Sequence, residues 1–219
     1  MQRRKIVGLA CVAMFALFAI ASATASAALP SVSLLAGEKF SVLFEGTSSK
    51  GVLETVKGTT VNCSSGKNSG SIEGEKTGKT TITFEGCESS GFKCNTTGKG
   101  AGIIETSGNT TLVFDSLTPL AVALLLAVNE TTFECTALVK VKVKGNILLL
   151  ISPINQEVTS LTLTVTQSKG QPGDSKYWEG GTEKHPTLLS SIDGGAFEIS
   201  ADESTENKIT TKKMIKVEG

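Results

Sequence analysis

The 219-residue chain carries one histidine, His185, and five cysteines among its groups able to attack, ligate or shuttle protons. A Ser–His–Asp nucleophile would have to use His185. That residue precedes Pro186, and no G-x-S-x-G segment is present to hold a serine on a strained turn. His185 therefore reads as a solvated loop side chain. Glycoside hydrolysis needs two carboxylates about 5–9 Å apart across a cleft. Glu45, Glu54, Glu85, Glu105 and Glu134 are the candidates, and most stand where an alternating strand shows its wet face. Tyr177-Trp178, followed by Glu179-Gly180-Gly181, is the one adjacent aromatic pair. It is the candidate for stacking on a sugar face, with burial under its own loop as the alternative. The acidic run Asp202 to Asn207 holds hard oxygen ligands but lacks the D-x-D-x-D-G loop of a calcium site. Glycine-rich loops occur without the strand–GxxxxGK[ST]–helix context that cradles phosphate. No cofactor and no metal are expected.

Cys63, Cys87, Cys94 and Cys135 lie beyond the apolar N-terminal run, and no C-x2-C spacing favours zinc. Four cysteines in an exported chain imply two disulfides with three possible pairings. Cys63 ends Thr-Thr-Val-Asn-Cys and Cys135 ends Thr-Thr-Phe-Glu-Cys, each two residues after an apolar side chain on the same strand face. Cys87 and Cys94 flank the polar loop Glu88 to Lys93. This pattern predicts Cys63–Cys135 as a buried tie and Cys87–Cys94 as a loop staple.

Export is itself a sequence expectation. Arg3, Arg4 and Lys5 precede an almost unbroken apolar run from Ile6 to Ile20, and small residues close it with Ala25-Ser26-Ala27. That is the layout of a signal peptide, residues 1–27, cleaved after Ala27. Removing it takes three of the 21 basic groups and leaves 18 against 21 acidic ones, a net charge of −3. Both arginines leave with the leader, so every fixed cation of the mature chain is a lysine. A nucleic-acid partner is disfavoured. Pro119 to Val128 is apolar but too short to span a bilayer as a helix, so no transmembrane segment is expected after the leader is removed.

The elements that would position these groups are strands. Phe40, Val42 and Phe44 alternate with polar or exposed positions, as do Ile82 and Phe84. Val139, Val141 and Val143 alternate with Lys140, Lys142 and Lys144, and Leu161, Leu163 and Val165 alternate with threonines. Period two with abundant threonine marks half-buried strands. Ile147 to Ile151 is apolar on both faces, which fits a strand covered on both sides. Leu120 to Val128 keeps period two and is read as strand despite its alanines and leucines. Ser64 to Gly70, Gly74 to Gly78, Asn95 to Gly102, Lys169 to Asp174 and Asp193 to Gly195 read as turns. No linker divides residues 28–219, which are expected to form one all-β domain. The expected architecture is an antiparallel β-sandwich or a flattened barrel of about 10–14 strands with two disulfides.

The segments Gly58-Thr-Thr-Val-Asn-Cys63 and Gly74-Glu-Lys-Thr-Gly-Lys-Thr-Thr-Ile-Thr-Phe-Glu-Gly-Cys87 resemble a family of uncharacterised, exported bacterial proteins. In that family a G-x-K-T-G-x-x-x-I-T-F-x-G-C segment precedes a second cysteine and a Gly-Glu-Ile-like strand, matched here by Cys94 and Gly102-Ile-Ile-Glu105. The similarity runs on through Phe133-Glu134-Cys135 and the Val-Lys-Val-Lys run. The resemblance implies export, a β-rich fold and an ordered cysteine pattern, and no activity. Function is therefore expected to be that of a non-enzymatic structural or binding module at or outside the cell envelope. An envelope polymer or a glycan is the candidate partner, and the Lys140/Lys142/Lys144 row could meet the polymer if it is anionic. The alternatives are a small extracytoplasmic carboxylate-dependent hydrolase and a barrel binding an apolar ligand.

Overall fold

The computed structural model describes residues 29–55, 58–135, 139–165, 175–202 and 206–219. The expected leader, residues 1–27, lies outside them, as do Lys169 to Asp174 and the centre of the acidic run at 203–205.

Eighteen strand segments follow one another without a helix. They are β1 (Ser31–Leu34), β2 (Val42–Ser48), β3 (Gly51–Thr55), β4 (Thr60–Cys63), β5 (Ser65–Ile72) and β6 (Thr77–Glu85). Then come β7 (Glu88–Ser89), β8 (Phe92–Lys93), β9 (Asn95–Thr96), β10 (Ile104–Leu117), β11 (Leu120–Glu134) and β12 (Lys140–Ser152). The last are β13 (Glu157–Val165), β14 (Tyr177–Glu179), β15 (Thr182–Lys184), β16 (Leu188–Ile192), β17 (Glu198–Asp202) and β18 (Asn207–Glu218). The segments outnumber the ten to fourteen strands expected because β7, β8 and β9 are two-residue pieces and β14 and β15 three-residue ones.

Eight strands close an antiparallel barrel in the order β2-β5-β6-β10-β11-β12-β13-β18, with β18 returning to β2. This is chain order with other segments inserted between neighbours. Local hairpins supply four of its eight pairings, and closure removes its free edges. The period-two residues point inward as their pattern demands. Val42, Val122, Leu126, Val141, Val143, Leu161, Leu163 and Ile209 are buried in one apolar cluster.

A second circuit shares β11 and β12 with the barrel. Past Val128 a bulge carries β11 away from β10, and residues 133–134 pair with β9. The first half of β12 pairs with β16, and the pairing continues through β17, β3 and β4 to β7. β7 and β8 form a hairpin, and the chain runs from β8 through Cys94 into β9.

The disulfides close this circuit, and their pairing corrects the expectation from sequence. Cys63 bonds Cys87 and Cys94 bonds Cys135. Register explains it. Asn62 opposes Glu88, so Cys63 and Cys87 are one step along the same antiparallel ladder; Glu134 opposes Asn95, so Cys135 and Cys94 are likewise paired. The hairpin between Cys87 and Cys94 is real, and the Cys94 N–H donates to the Cys87 carbonyl at 2.9 Å. Both of its thiols, however, turn to the strand beyond it. Cys63, Cys87, Cys94 and Cys135 therefore form one row across four neighbouring segments, all buried.

Ser64 to Gly70, read above as a turn, is most of β5. Its glycines are inward-facing wall positions. The row Gly70–Thr80–Gly108 crosses β5, β6 and β10. A Cβ on Gly70 would strike the Lys79 carbonyl, and one on Gly108 the Ala127 carbonyl. The wall is pinched here more tightly than any side chain allows.

Ile147 to Ile151 is covered on both faces as its composition demands. Ile147, Leu149 and Ile151 face the barrel, while the fully buried Leu148 packs outside with Val113, Ala123 and Tyr177. Leu148→Ala should cost about 3 kcal/mol, because its cavity is lined by a stiff sheet that cannot collapse. Urea unfolding at equilibrium checks this; a loss under about 1 kcal/mol would mean that the outer layer is loosely held.

Candidate functional site

The strongest candidate is internal. Where the second circuit leaves the barrel, the two sheets splay and enclose an apolar cavity of about 110 Å³. Its walls come from β3, β4, β6, β10, β11, β12 and β16, including Leu53, Phe84, Leu126, Val143 and Leu188. Its polar features are the Asn207 carboxamide and a hydroxyl chain. The Thr131 hydroxyl donates to the Asn129 carbonyl at 3.1 Å, and the Thr106 and Thr131 oxygens lie 2.6 Å apart. With Thr131 donating outward, Thr106 must donate to Thr131. No charged side chain lines the space. A second apolar space of about 70 Å³ lies at the other end of the barrel, among Val32, Ile72, Leu112, Leu161 and Val217. Both are small beside the pockets of about 300 Å³ and more that enclose drug-sized ligands.

Tyr177 and Trp178 are placed by β14, a short strand that meets β10 with Trp178 opposite Phe114. Alternation sends the two rings to opposite sides. Tyr177 is buried against Val113, Ala123 and Leu148, and its phenol pKa is raised by burial and then by the nearby Glu179 carboxylate. Trp178 is half-buried against the main cluster, with Lys176 Nζ 5.9 Å from its ring. The rings do not share one face.

His185 is an exposed loop residue. Its Nδ1 lies 3.0 Å from the Ser175 carbonyl, and Nε2 lies 3.8 Å from Glu183. Four of the five candidate glutamates have lysine partners on the outer surface: Glu45 with Lys212, Glu85 with Lys67, Glu105 with Lys99 and Glu134 with Lys140. The Lys67 ammonium lowers the Glu85 pKa, and the Lys79 ammonium does the same for Glu73. Lys142 and Lys144 share Glu130 at 3.4 and 3.9 Å. The lysine row is thus matched by acids from β11, which weakens any field it could present to a polyanion. Among the described residues no cluster of three or more histidine, cysteine or acidic side chains is arranged to hold a metal ion. Among them, too, no helix is long and apolar enough to cross a membrane.

An open groove of about 510 Å³ runs over the outside of the pinched wall, across Glu45, Ser69, Thr81, Ser107 and Asn129. Asn129 Nδ2 donates to Ser107 Oγ at 2.9 Å. Sequence reasoning missed this groove and offered an apolar interior only as an alternative, a barrel binding an apolar ligand, because each depends on how strands diverge rather than on residue type.

Among the described residues Asp115, at the bulge of β10, has its pKa raised, and burial is the cause. A folded-state value above the unfolded one means that ionisation penalises the fold. The protein gains stability from this group as pH falls and loses it as pH rises through the folded value. Asp115→Asn should therefore raise the unfolding free energy at pH 7, by under about 1 kcal/mol after solvent screening, with the gain vanishing toward pH 3. A gain that persisted unchanged at acid pH would contradict this origin.

The fold and site together define a closed antiparallel β-barrel with a second, disulfide-closed circuit and an apolar interior. No protein-family model, no curated protein and no solved structure matches the chain.

Proposed function

We propose that the protein is an exported, non-enzymatic β-barrel module that acts as a rigid structural or binding element at or outside the cell envelope of a bacterium. The observation that carries this reading is the cysteine row. All four described cysteines are buried and consumed in two cross-strand disulfides that close a circuit of the fold. Such bonds persist where thiols oxidise and are rare where glutathione and thioredoxin hold them reduced. The basic, apolar and small-residue order of residues 1–27 supports the same destination.

The experiment is to express the full chain in a bacterial host and fractionate the cells. The expected product lies outside the cytoplasm, begins at Ala28 by intact mass, and takes up no maleimide until reduced. Retention in the cytoplasm with residues 1–27 attached and four reactive thiols beyond them would overturn the reading. Pull-down with isolated envelope polymer and with neutral glycans then separates a binding element from a purely structural one.

A further inference from the structure

We infer that the 110 Å³ cavity is a binding site for a compact, neutral, mostly hydrocarbon molecule bearing a single hydrogen-bond donor, the class of a small aliphatic alcohol. This goes beyond the export reading and does not rest on it.

Three observations define the ligand. First, the walls leave apolar surface uncovered. Leu53, Ile82, Phe84 and Val128 line the cavity yet are only half-buried, unlike Val61, Ile104 and Leu126 beside them. A molecule seated among them would cover hydrocarbon that the fold itself does not. Second, size and charge set limits. A dry apolar cavity of about 150 Å³ suffices to bind benzene, so this smaller space of about 110 Å³ takes about four or five non-hydrogen atoms and no long acyl chain. With no cation or acid in the lining, a charged headgroup would be buried without a partner.

Third, the hydroxyl chain has a direction. Thr131 donates to the Asn129 carbonyl and Thr106 donates to Thr131, so the Thr106 oxygen keeps acceptor capacity; the other polar side chain in the lining, Asn207, directs its Nδ2 to the Leu163 carbonyl at 3.5 Å. Thr106 itself lines the space. A ligand O–H directed at the Thr106 oxygen would complete the chain, whereas a carbonyl or ether oxygen would find no proton there. The donor requirement separates this site from a cavity that any small hydrocarbon fills equally.

The test uses the purified, oxidised protein with assigned methyl resonances, titrated with 2-butanol and with its near-isostere butanone, which has no donor. Saturable shifts are expected at the methyls of Leu126, Val143 and Leu188, with those of Val32 and Val217 in the other cavity unmoved. Thr106→Val should weaken 2-butanol about tenfold, the worth of one hydrogen bond, while butanone stays within about twofold. Val128→Phe should fill the space and abolish both; if it fails to fold, the Thr106→Val comparison decides alone. Absence of saturable shifts up to the solubility limit would overturn the proposal. So would equal shifts in both cavities, or equal weakening of 2-butanol and butanone by Thr106→Val.

Discussion

Replacing Cys94 and Cys135 together with alanine should lower the stability of the folded protein by about 4 kcal/mol. The bond closes 41 residues of sequence, and chain entropy alone gives it that order of magnitude. Cys63→Ala with Cys87→Ala, closing 24 residues, should cost slightly less, about 3.5 kcal/mol. The loss should also be local. β7, β8 and β9 are two-residue segments, with little ladder of their own to keep them against β4 and β11. The eight-stranded barrel carries its own complete ring of pairings and does not include them. Amide exchange in the double variant should therefore accelerate first at residues 88–96 and 131–134, with β5, β6, β13 and β18 protected. Uniform acceleration across all strands would show that the circuit and the barrel unfold as one unit.

Gly145→Val should be at least as damaging, at about 4 kcal/mol, through a different mechanism. Gly145 has φ +115°, where side chains with a Cβ are strained, and a Cβ there would collide with the Thr187 carbonyl. The same carbonyl accepts from the Asn146 N–H at 2.8 Å, so it cannot move aside freely. The position matters because β12 changes partners around it. Residues 141–145 pair with β16, and residues 149–152 pair with β13. Distortion at Gly145 would thus reach the cavity wall at Val143 and Ile147 on either side. Gly91, with φ +81° but open space around its would-be Cβ, is the control. Gly91→Ala should cost only about 1 kcal/mol. Urea midpoints of the two variants check the contrast, and similar losses would mean that backbone strain rather than collision dominates.

The strand class was legible because it rests on period two. The Val139 to Lys144 alternation and the doubly apolar Ile147 to Ile151 run each determine which faces are buried before any partner is known. Leu120 to Val128 shows the same logic overriding helix propensity, since Val122, Leu124 and Leu126 meet one core only from an extended chain. The cysteine pairing was not legible. Local pattern correctly turned Cys63 and Cys135 inward, but the bond partner depends on which strand lies across the ladder, a non-local fact of register. β5 was hidden for another reason. Ser65, Gly66, Ser69 and Gly70 look like a turn because they lack bulk, and bulk is what the pinched wall excludes. The cavity arises where β11 leaves β10 at a bulge, and neither Thr106 nor Thr131 is distinguishable in sequence from the many other threonines of the chain.

The account turns on the closing of the second circuit by Cys63–Cys87 and Cys94–Cys135, and a non-reducing tryptic map tests it most directly. Cleavage after Lys57, Lys67, Lys79, Lys93, Lys99 and Lys140 puts each cysteine on its own peptide. Protein recovered from outside the producing cell should give residues 58–67 joined to 80–93, and 94–99 joined to 100–140. Residues 58–67 joined to 100–140, with 80–93 joined to 94–99, would contradict the register of the circuit and the cavity built upon it.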